Sequence, residues 1–448
     1  MSQIHIDFSK SAGKVKPMHC VNNGPSGSKV RATGSNFQAY ADLHIPYARN
    51  HDASFYPPYG GEHTVDVHRI FKNFDADVND PASYDFEMTD RYTADILSVG
   101  TMPYYRLGAS IEHEKKYGTI PPKDFQKWAE ICEHIIRHYN EGWADGFHYG
   151  IEYWEIWNEP DCRNADGSNP CWQGTEEQFA DFFATVFKHL KTTFPSLKIG
   201  GPAICFICES SLNFIRNIFD ALVKDGMKPN FFSYHGYKDI PDKFARDCDI
   251  VYGLLGEYGW QDTVELHVNE WNYIRGWLGE DFDYSLASIQ GLKGSAFTAA
   301  TMCVGQNSHI DMMMYYDARP CGFNGLFQGK KLCKTYYTFQ AFSKLYEIKN
   351  CVPSENDDGS IYCIAVKDEN TRCLLVTHYQ EEDGCADKEV AVTLENVDLG
   401  DTYRVNYYLL DEDHDLTILR SDKVTVNDFT LYLHMPLHTT YLIEIVKT

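Results

Sequence analysis

The chain has 448 residues, 43% of them hydrophobic and 23% charged, so it has ample apolar material for a large core and does not fit the disordered class. Its 64 acidic residues outnumber 40 basic ones, which gives a formal net charge of -24 at pH 7. Such an acidic chain repels polyanions, so we expect no nucleic-acid partner and no membrane partner. The length suits two or three domains of average size, although one α/β barrel alone takes roughly 250 residues.

The amino terminus, MSQIHIDFSK, has no basic region followed by an apolar one, and the chain has no apolar run of about 18 residues. We therefore expect a cytoplasmic protein whose 14 scattered cysteines are reduced thiols. Cys205 and Cys208 form a C-x-x-C pair. No second pair follows at zinc-finger spacing, so small apolar packing residues are favoured over a metal or redox role.

From about residue 15 to 340, short apolar runs alternate with amphipathic helical stretches, a pattern typical of βα units around a parallel sheet. The predicted strands are KPMHCV, HTVDVHRIF, MPYYRLG, EYWEIWN, LKIGGP, FFSYHGY, VELHVNEW and IDMMMYY. Eight strands with intervening helices predict a (β/α)8 TIM barrel, an α/β fold.

Two of the intervening helices have clear sequence signals. Between the third and fourth strands, apolar residues at helical spacing run from Phe125 to Tyr139, and Gly142 is the predicted stop. Between the fourth and fifth strands, a phenylalanine-rich stripe follows Thr175 and Gln178, which predict a capping box.

Past about residue 345 the pattern changes to alternating runs separated by turn-forming residues. The runs are SIYCIAV, RCLLVTH, KEVAVTL, TYRVNYYLL and TTYLIEIV. They predict a C-terminal antiparallel β-sandwich of about 100 residues, joined by the N-terminal strand QIHIDF. We expect the barrel over residues 15–343 and the sandwich, with a structural role, over residues 1–14 and 344–448. The edges of its sheets could pair between subunits, which leaves a homo-oligomer open.

Two glutamates end two of the predicted barrel strands. Strand alternation puts Glu155, Trp157 and Glu159 on one face of the fourth strand, and Pro160 ends it. The seventh strand ends in the same way at Glu270. A single glutamate at a strand end is more often solvated or ion-paired, but the carboxyl ends of barrel strands build the active site. The pair therefore favours glycoside hydrolysis, which needs one carboxylic acid and one carboxylate.

The stretches WEIWNEPD and HVNEWN resemble the fourth-strand and seventh-strand signatures of retaining glycoside hydrolases of clan A. Within this clan the chain is most similar to family 39, which contains β-xylosidases and α-L-iduronidases, and the similarity covers nearly the whole chain. The resemblance implies that Glu159 is the general acid/base and Glu270 the nucleophile. It also implies that Asn158 hydrogen-bonds the sugar 2-hydroxyl, and that His235 and Tyr237 are the sixth-strand residues beside the nucleophile.

The second strand departs from this family pattern. Family members usually read Arg-x-His there, whereas the predicted second strand of this chain contains Asp66, His68 and then Arg69. His68 can keep a sugar-binding role, but Asp66 cannot replace an arginine. Either Arg69 supplies the charge through a shifted register, or the sugar subsite differs from that of the family.

Aromatic residues after the seventh and eighth strands are further candidates for substrate contact. Trp277 lies in a glycine-flanked loop and is predicted to form a wall for a sugar ring, whereas Trp271 fits either such a wall or packing of the barrel rim. Tyr316 ends the predicted eighth strand at the same mouth. Glu155 is interpreted as a buried structural carboxylate paired with Arg or His.

These features predict a retaining exo-glycosidase, similar to β-xylosidases, that takes terminal neutral sugars from short oligosaccharides. A uronide is less favoured because it needs convergent cations, while arabinosides, galactosides and glucosides stay open. The alternative from another class is a carbohydrate-binding protein on an inactive scaffold, which the intact Asn158, Glu159 and Glu270 disfavour. Two-carboxylate chemistry needs no cofactor and no metal, so we expect a chelator to leave activity unchanged.

Overall fold

The main part of the chain is a closed barrel of parallel strands. The computed structural model describes residues 1–26, 35–51, 64–111, 118–319, 321–329, 331–400 and 402–448. Strand β1 (Ser2–Asp7) precedes the barrel. The barrel strands are β2 (Cys20–Asn22), β3 (Tyr47–Arg49), β4 (Met102–Leu107), β5 (Tyr153–Ile156), β6 (Lys198–Ile204), β7 (Phe231–Lys238), β8 (Glu265–Tyr273) and β9 (Met312–Tyr315). Pairing of β2 with β9 closes the barrel, so the predicted (β/α)8 fold is confirmed.

Helices surround the barrel. They are α1 (Phe37–Ala41), α2 (Val67–Ile70), α3 (Glu87–Ser98), α4 (Phe125–Glu141), α5 (Glu176–Thr193), α6 (Glu209–Lys224), α7 (Asp242–Glu257), α8 (Gly279–Ile289), α9 (Leu292–Gln306) and α10 (Lys334–Ile348), with a 3-10 turn at Pro81–Ser83. Both predicted helix signals are confirmed: α4 ends at Gly142 with a left-handed φ of 77°, and Thr175 and Gln178 form the capping box of α5. None of the helices in the described residues is long and apolar enough to cross a membrane.

The predicted second barrel strand is wrong. Most of HTVDVHRIF lies in and around the short helix α2, while His63 falls outside the described residues. The Asp66 carboxylate, just before α2, accepts hydrogen bonds from Arg106 Nη2 at 2.6 Å and from the Ser110 main chain at 3.1 Å. This buried pairing fixes the segment as a connection above the barrel rather than as a strand. The second strand is instead β3, which ends at Arg49.

The carboxyl-terminal part forms two further sheets after a small hairpin of β10 (Phe327–Gln328) and β11 (Lys331–Leu332). The strands are β12 (Asn350–Val352), β13 (Ser354–Asn356), β14 (Ile361–Lys367), β15 (Thr371–His378), β16 (Lys388–Glu395), β17 (Tyr403–Leu410), β18 (Asp415–Val424), β19 (Phe429–Met435) and β20 (Thr440–Lys447). One sheet has the order β13-β1-β16-β19 and the other β12-β14-β15-β20-β17-β18. The N-terminal strand joins as predicted, but β1 runs parallel to β16, so the first sheet is mixed rather than fully antiparallel.

The barrel and the six-stranded sheet share one apolar core. Helices α9 and α10 pack against β14 and β15. Ile364 and Leu375 of the sheet belong to the same buried cluster as Phe297 and Phe339 of these helices. Helix α9 is therefore buried on nearly all sides, because the barrel covers one side and the sheet the other.

Candidate active site

Glu159 and Glu270 meet at the carboxyl ends of β5 and β8, as the sequence predicts. His235 of β7 lies between them, with Nδ1 2.8 Å from Glu159 Oε1 and 3.6 Å from Glu270 Oε2. One carboxylate oxygen of each glutamate and a ring nitrogen of His235 lie within 4.8 Å of one another. The Glu159 side chain is 17% exposed and that of Glu270 is 6% exposed, so both carboxylates lie in an enclosed mouth that solvent still reaches.

The chain turns sharply just before Glu159, so the predicted strand alternation fails there. Strand β5 ends at Ile156, and Trp157 and Glu159 have φ values of 77° and 48°. Trp157 consequently packs outward against Phe182, with the ring centroids 5.3 Å apart, instead of sharing a face with Glu155. The turn leaves Glu159 at the mouth and removes Trp157 from it.

Glu270 is held from both sides by hydrogen-bond donors. The Tyr237 hydroxyl donates to Oε2 at 2.8 Å, and Arg49 Nη1 donates to Oε1 at 2.7 Å. Burial, followed by the charge of Glu270, raises the pKa of Tyr237 well above its ordinary value, so the hydroxyl remains a donor. These two bonds fix the orientation of the carboxylate.

Arg49 also connects this carboxylate to Glu155 and Asn158. Its Nε donates to Glu155 Oε2 at 2.6 Å and its Nη2 to Asn158 Oδ1 at 2.7 Å. Burial alone would lower the pKa of Arg49, but the charges of Glu155 and Glu270 raise it above its ordinary value. Glu155 also accepts a hydrogen bond from Ser233 Oγ at 2.6 Å. The interpretation of Glu155 as a buried carboxylate paired with a cation is confirmed.

Arg49 and His51 are the site residues that sequence reasoning missed. The stretch Arg49-Asn50-His51 has the Arg-x-His pattern that the resemblance implies, but it precedes the predicted second strand, which begins only at His63. His51 Nε2 lies 3.5 Å from Glu270 Oε1. Burial and the nearby charge of Arg49 lower the pKa of His51 well below its ordinary value, so the ring is neutral. Arg69, the predicted substitute, is an exposed residue of α2.

His235 is enclosed between the two glutamates. Burial would lower its pKa, but the charge of Glu270 and the hydrogen bond with Glu159 raise it above the ordinary value. The ring therefore gains positive character where two carboxylates face each other, which reduces their repulsion.

Two predicted sugar-binding residues lie in unexpected places. His68 is in α2 instead of a barrel strand, and a Cβ added at Gly118 would come within 2.2 Å of its ring, so the two residues pack closely. Trp271 is fully buried, with ring centroids 5.9 Å from Phe244 of α7 and 6.5 Å from Phe297 of α9. A sugar wall at Trp271 is therefore wrong, and the packing alternative holds.

Trp277 and Tyr316 do lie at the mouth. The centroid of the Trp277 ring is 5.1 Å from that of Tyr237, and the Tyr316 centroid is 6.2 Å from it. Phe323 contacts all three rings at 5.7 to 6.3 Å. Trp277 is 45% exposed, so this aromatic rim presents apolar ring surface to solvent near Glu270.

Comparison with known families agrees with this geometry. The profile of the family described as glycosyl hydrolases family 39 matches residues 4–248, more than half of the chain. The chain belongs to glycosyl hydrolase family 39. The family resemblance of the strand motifs is thereby confirmed, and the Arg-x-His pattern is present in this family 39 chain after all.

Two curated relatives of this family 39 chain are β-xylosidases. The protein of Geobacillus stearothermophilus is 26% identical over 183 residues, covering 38% of this chain and 33% of the relative. That of Caldicellulosiruptor saccharolyticus is 24% identical over 325 residues, covering 66% of this chain and 64% of the relative. The chain thus matches less than two thirds of the length of each relative.

Solved structures show the same fold. A glucosidase from Croceicoccus marinus has a TM-score of 0.81 at 19% identity, with 100% of this chain and 99% of that chain covered. A monomeric β-xylosidase from Caulobacter crescentus CB15 has a TM-score of 0.71 at 16% identity, with the same coverage. Both span the barrel and the carboxyl-terminal sheets, so the two-part architecture is shared.

Proposed function

We propose that the protein is a retaining exo-glycosidase, similar to β-xylosidases, that removes terminal neutral sugars from short oligosaccharides. The observation that carries this proposal is the pair Glu159 and Glu270, whose oxygens lie within 4.8 Å across His235. Retaining glycosidases hold their carboxyl groups about 5 to 5.5 Å apart, whereas inverting ones need roughly 6.5 to 9.5 Å to admit a water molecule. The short separation favours direct attack by a carboxylate.

In the first step, the ionised Glu270 carboxylate attacks the anomeric carbon while Glu159 gives its proton to the leaving oxygen. The bond to the leaving group breaks and a glycosyl-enzyme ester forms on Glu270. In the second step, Glu159 takes a proton from a water molecule that attacks the same carbon, which releases the sugar and restores Glu270. Arg49 and Tyr237 orient the nucleophile through both steps.

Several neighbours are suited to hold the sugar. Arg49 Nη2 donates a hydrogen bond to Asn158 Oδ1. The Asn158 amide nitrogen then points the other way and can donate to a sugar hydroxyl. Trp277 and Tyr316 offer aromatic faces to the apolar side of a pyranose ring. His68 is also a proposed sugar contact. It lies on helix α2, in the connection between β3 and β4.

The sugar itself is proposed from the relatives. The two curated relatives are named β-xylosidases, which favours a β-xyloside. A glucoside is the alternative, since the structure from Croceicoccus marinus is described as a glucosidase. The oligosaccharide is the proposed partner of the site.

The testing experiment is hydrolysis of a panel of nitrophenyl glycosides by the wild-type protein and by Glu270→Ala and Glu159→Ala. We expect release from the β-xyloside by the wild type and none by Glu270→Ala. Azide should rescue Glu270→Ala with a product of inverted configuration and Glu159→Ala with a product of retained configuration, because azide replaces the nucleophile in one variant and the attacking water in the other.

The control is Glu280→Ala, at an exposed position of α8, which should behave like the wild type. Release of a different sugar would keep the mechanism and replace the β-xylosidase assignment. A first product of inverted anomeric configuration in the wild type, seen by NMR, would contradict the retaining mechanism. Failure to cleave any glycoside would leave sugar binding alone as the function.

A further inference from the structure

Three thiols lie beside the Glu159 carboxylate. Cys162 and Cys171 come from the connection after β5, and Cys205 follows β6. One ligand atom each of Glu159, Cys162 and Cys205 lie within 4.8 Å of one another. Cys171 Sγ is 3.9 Å from Glu159 Oε2, and the Cys162 thiol neighbours both other thiols. The four side chains therefore form one compact group, which we call the thiol cluster.

The thiol cluster differs from the C-x-x-C pair that the sequence suggests. Cys208 is exposed at the start of α6, where its main-chain nitrogen donates to Ser211 Oγ at 2.9 Å. Cys205 is buried and faces Cys162 instead. The partner of Cys205 thus comes from a neighbouring connection of the barrel, a relation that linear spacing does not reveal.

The main chain around the thiol cluster is fixed by hydrogen bonds. The Glu159 main-chain nitrogen donates to the Ala203 carbonyl at 2.9 Å, which joins the ends of β5 and β6. The Cys205 main-chain nitrogen donates to Asp161 Oδ1 at 2.8 Å, and that of Cys162 donates to the Glu159 carbonyl at 3.0 Å. The donor atoms are therefore held close together before any ligand arrives.

We propose that Cys162, Cys171, Cys205 and Glu159 form a tetrahedral site for Zn²⁺ or a similar thiophilic divalent cation, and that the bound ion inhibits the glycosidase. Three sulfur ligands and one carboxylate match the ligand types and the number of ligands that Zn²⁺ takes. With Zn–S near 2.3 Å, the ligands of a tetrahedral site lie about 3.5 to 3.8 Å apart, so only small side-chain movements are needed.

Binding of the ion to the thiol cluster would inhibit the enzyme by removing the acid/base group. The ion binds thiolates, so the thiol protons leave to solvent as it enters. The Glu159 carboxylate becomes a metal ligand and can no longer carry the proton that the leaving oxygen requires. This second part rests on the acid/base role of Glu159 under the proposed function, whereas binding of the ion does not.

The first test uses Co²⁺ as a spectroscopic probe. The reduced full-length protein, without a histidine tag, is titrated with Co²⁺ in the absence of oxygen. We expect a sulfur-to-cobalt charge-transfer band in the near ultraviolet and tetrahedral d–d bands in the visible, both saturating at equimolar cobalt and both abolished by Zn²⁺. Cys162→Ser and Cys205→Ser should lose the charge-transfer band, while Cys208→Ser should keep it.

Two outcomes of this titration would overturn the site. One is the absence of a charge-transfer band in the wild type, and the other is a band that survives in both Cys162→Ser and Cys205→Ser. Circular dichroism and thermal melting of the variants check that they are folded, and the wild-type result does not depend on any variant. The readout is independent of activity, so failure of the proposed function would not affect it.

The second test measures hydrolysis of the aryl glycoside with and without Zn²⁺. We expect Zn²⁺ to inhibit the wild type and Cys208→Ser at the concentration that abolishes the cobalt bands, and a chelator to restore the rate. Cys205→Ser should need a much higher Zn²⁺ concentration for the same inhibition. A protein that shows the cobalt bands but is fully active with Zn²⁺ bound would contradict the inhibitory role of the ion.

Discussion

At the scale of single residues, the site depends on one buried guanidinium. Arg49 donates to Glu155, Asn158 and Glu270 at once, over 2.6 to 2.7 Å. Two of these partners are carboxylates with almost no exposure, so removing their cation would leave buried charges uncompensated. Arg49 thus stabilises the fold and orients Glu270, the proposed nucleophile, with the same hydrogen bonds.

Replacing Arg49 by lysine tests this double role. Lysine keeps the charge but lacks the planar group that donates in three fixed directions, so at least one acceptor loses its donor. We expect Arg49→Lys to lose roughly 10- to 100-fold in kcat and about 2 to 4 kcal/mol in the free energy of unfolding. Aryl-glycoside kinetics and urea unfolding measure the two effects.

The matched control is Arg216→Lys, since Arg216 forms an exposed bidentate pair with Glu257 at 2.8 and 3.1 Å. Exposed pairs contribute little, so this variant should stay within about 1 kcal/mol of the wild type and keep its activity. If Arg49→Lys matched this control in both measurements, the guanidinium geometry would not matter.

At the scale of elements, the position of Glu159 depends on a close approach between the ends of β4 and β5. A Cβ added at Gly108 would lie 2.8 Å from Trp157 Cα, and the Trp157 main-chain nitrogen donates to the Leu107 carbonyl at 2.6 Å. Gly108 also has a φ of 132°, which side chains rarely adopt. The turn that directs Trp157 outward and Glu159 to the mouth is built on this glycine.

Gly108→Ala should therefore reduce both stability and activity. The methyl group must push away the main chain of Trp157, two residues before Glu159. We expect a loss of about 2 to 4 kcal/mol in unfolding free energy and at least a 10-fold lower kcat. Gly100→Ala is the control, because Gly100 has a φ of 79° but nothing within 4 Å of its added Cβ.

Gly100→Ala shares a positive φ without the clash, so it should cost about 1 kcal/mol and leave kcat unchanged. Equal kcat values for the two glycine variants would show that the approach to Trp157 does not position Glu159. Thermal melting and aryl-glycoside kinetics suffice for the comparison.

The sequence predicts those elements that are stabilised by local patterns of residues. Strands β4 to β9 are apolar runs bounded by turn residues, and α5 carries its own capping box, so local patterns identify them. Because Glu159 lies just past the carboxyl end of β5 and Glu270 near that of β8, their meeting could be predicted too. Strand β3, with three residues, is too short to show a period, and β18 is mostly exposed without alternating burial.

The failures at the site have tertiary causes. The outward position of Trp157 follows from a left-handed φ that strand periodicity does not anticipate. The burial of Trp271 depends on α7 and α9 packing over β8. The role of Arg49 is missed because the second strand is predicted at the wrong place. Only the pairing of β3 with its neighbours in the barrel shows that Arg49 ends a barrel strand.

At the scale of the whole molecule, the carboxyl-terminal sheets are tied to the strand that carries Glu270. Strand β8 ends at Tyr273, whose hydroxyl donates to both oxygens of Glu381 at 2.8 and 3.0 Å. Lys293 of α9 lies 3.3 Å from the same carboxylate. The Tyr379 hydroxyl donates to the Asp239 carbonyl at 2.6 Å, just after β7. The carboxyl-terminal part of the chain thus stabilises the ends of β7 and β8.

Glu381→Ala should weaken this connection. Its loss leaves Lys293 and the Tyr273 hydroxyl with one acceptor fewer in a largely buried junction, so we expect a loss of about 1 to 3 kcal/mol in unfolding free energy. Because β8 is otherwise intact, kcat should fall by less than about 10-fold. Glu382→Ala, at the neighbouring exposed position, is the control and should be neutral. Identical urea midpoints for both variants would refute the connection.

Resistance to acid should depend on a histidine buried where the barrel meets α10. His19 precedes β2, and its ring centroid lies 5.3 Å from Phe342 and 5.0 Å from Tyr346. Burial lowers the pKa of His19 to about 3 from an ordinary 6.5. Between these two pH values His19 binds a proton in the unfolded chain but not in the folded one. The contribution of neutral His19 to the free energy of unfolding is therefore complete above about pH 6.5 and is lost as the pH falls toward 3.

His19→Phe should remove this dependence, because a phenyl ring fills the same aromatic contact without a proton site. Between pH 7 and pH 5 the wild type should lose about 2 kcal/mol that the variant does not lose, measured as the difference between their urea unfolding free energies at each pH. The control is His434→Phe, at a position where the side chain is 58% exposed, and it should keep the wild-type pH dependence. Parallel pH profiles for the wild type and His19→Phe would mean that His19 takes up its proton over the same pH range in the folded and the unfolded chain. That result would contradict the lowered pKa of the buried ring.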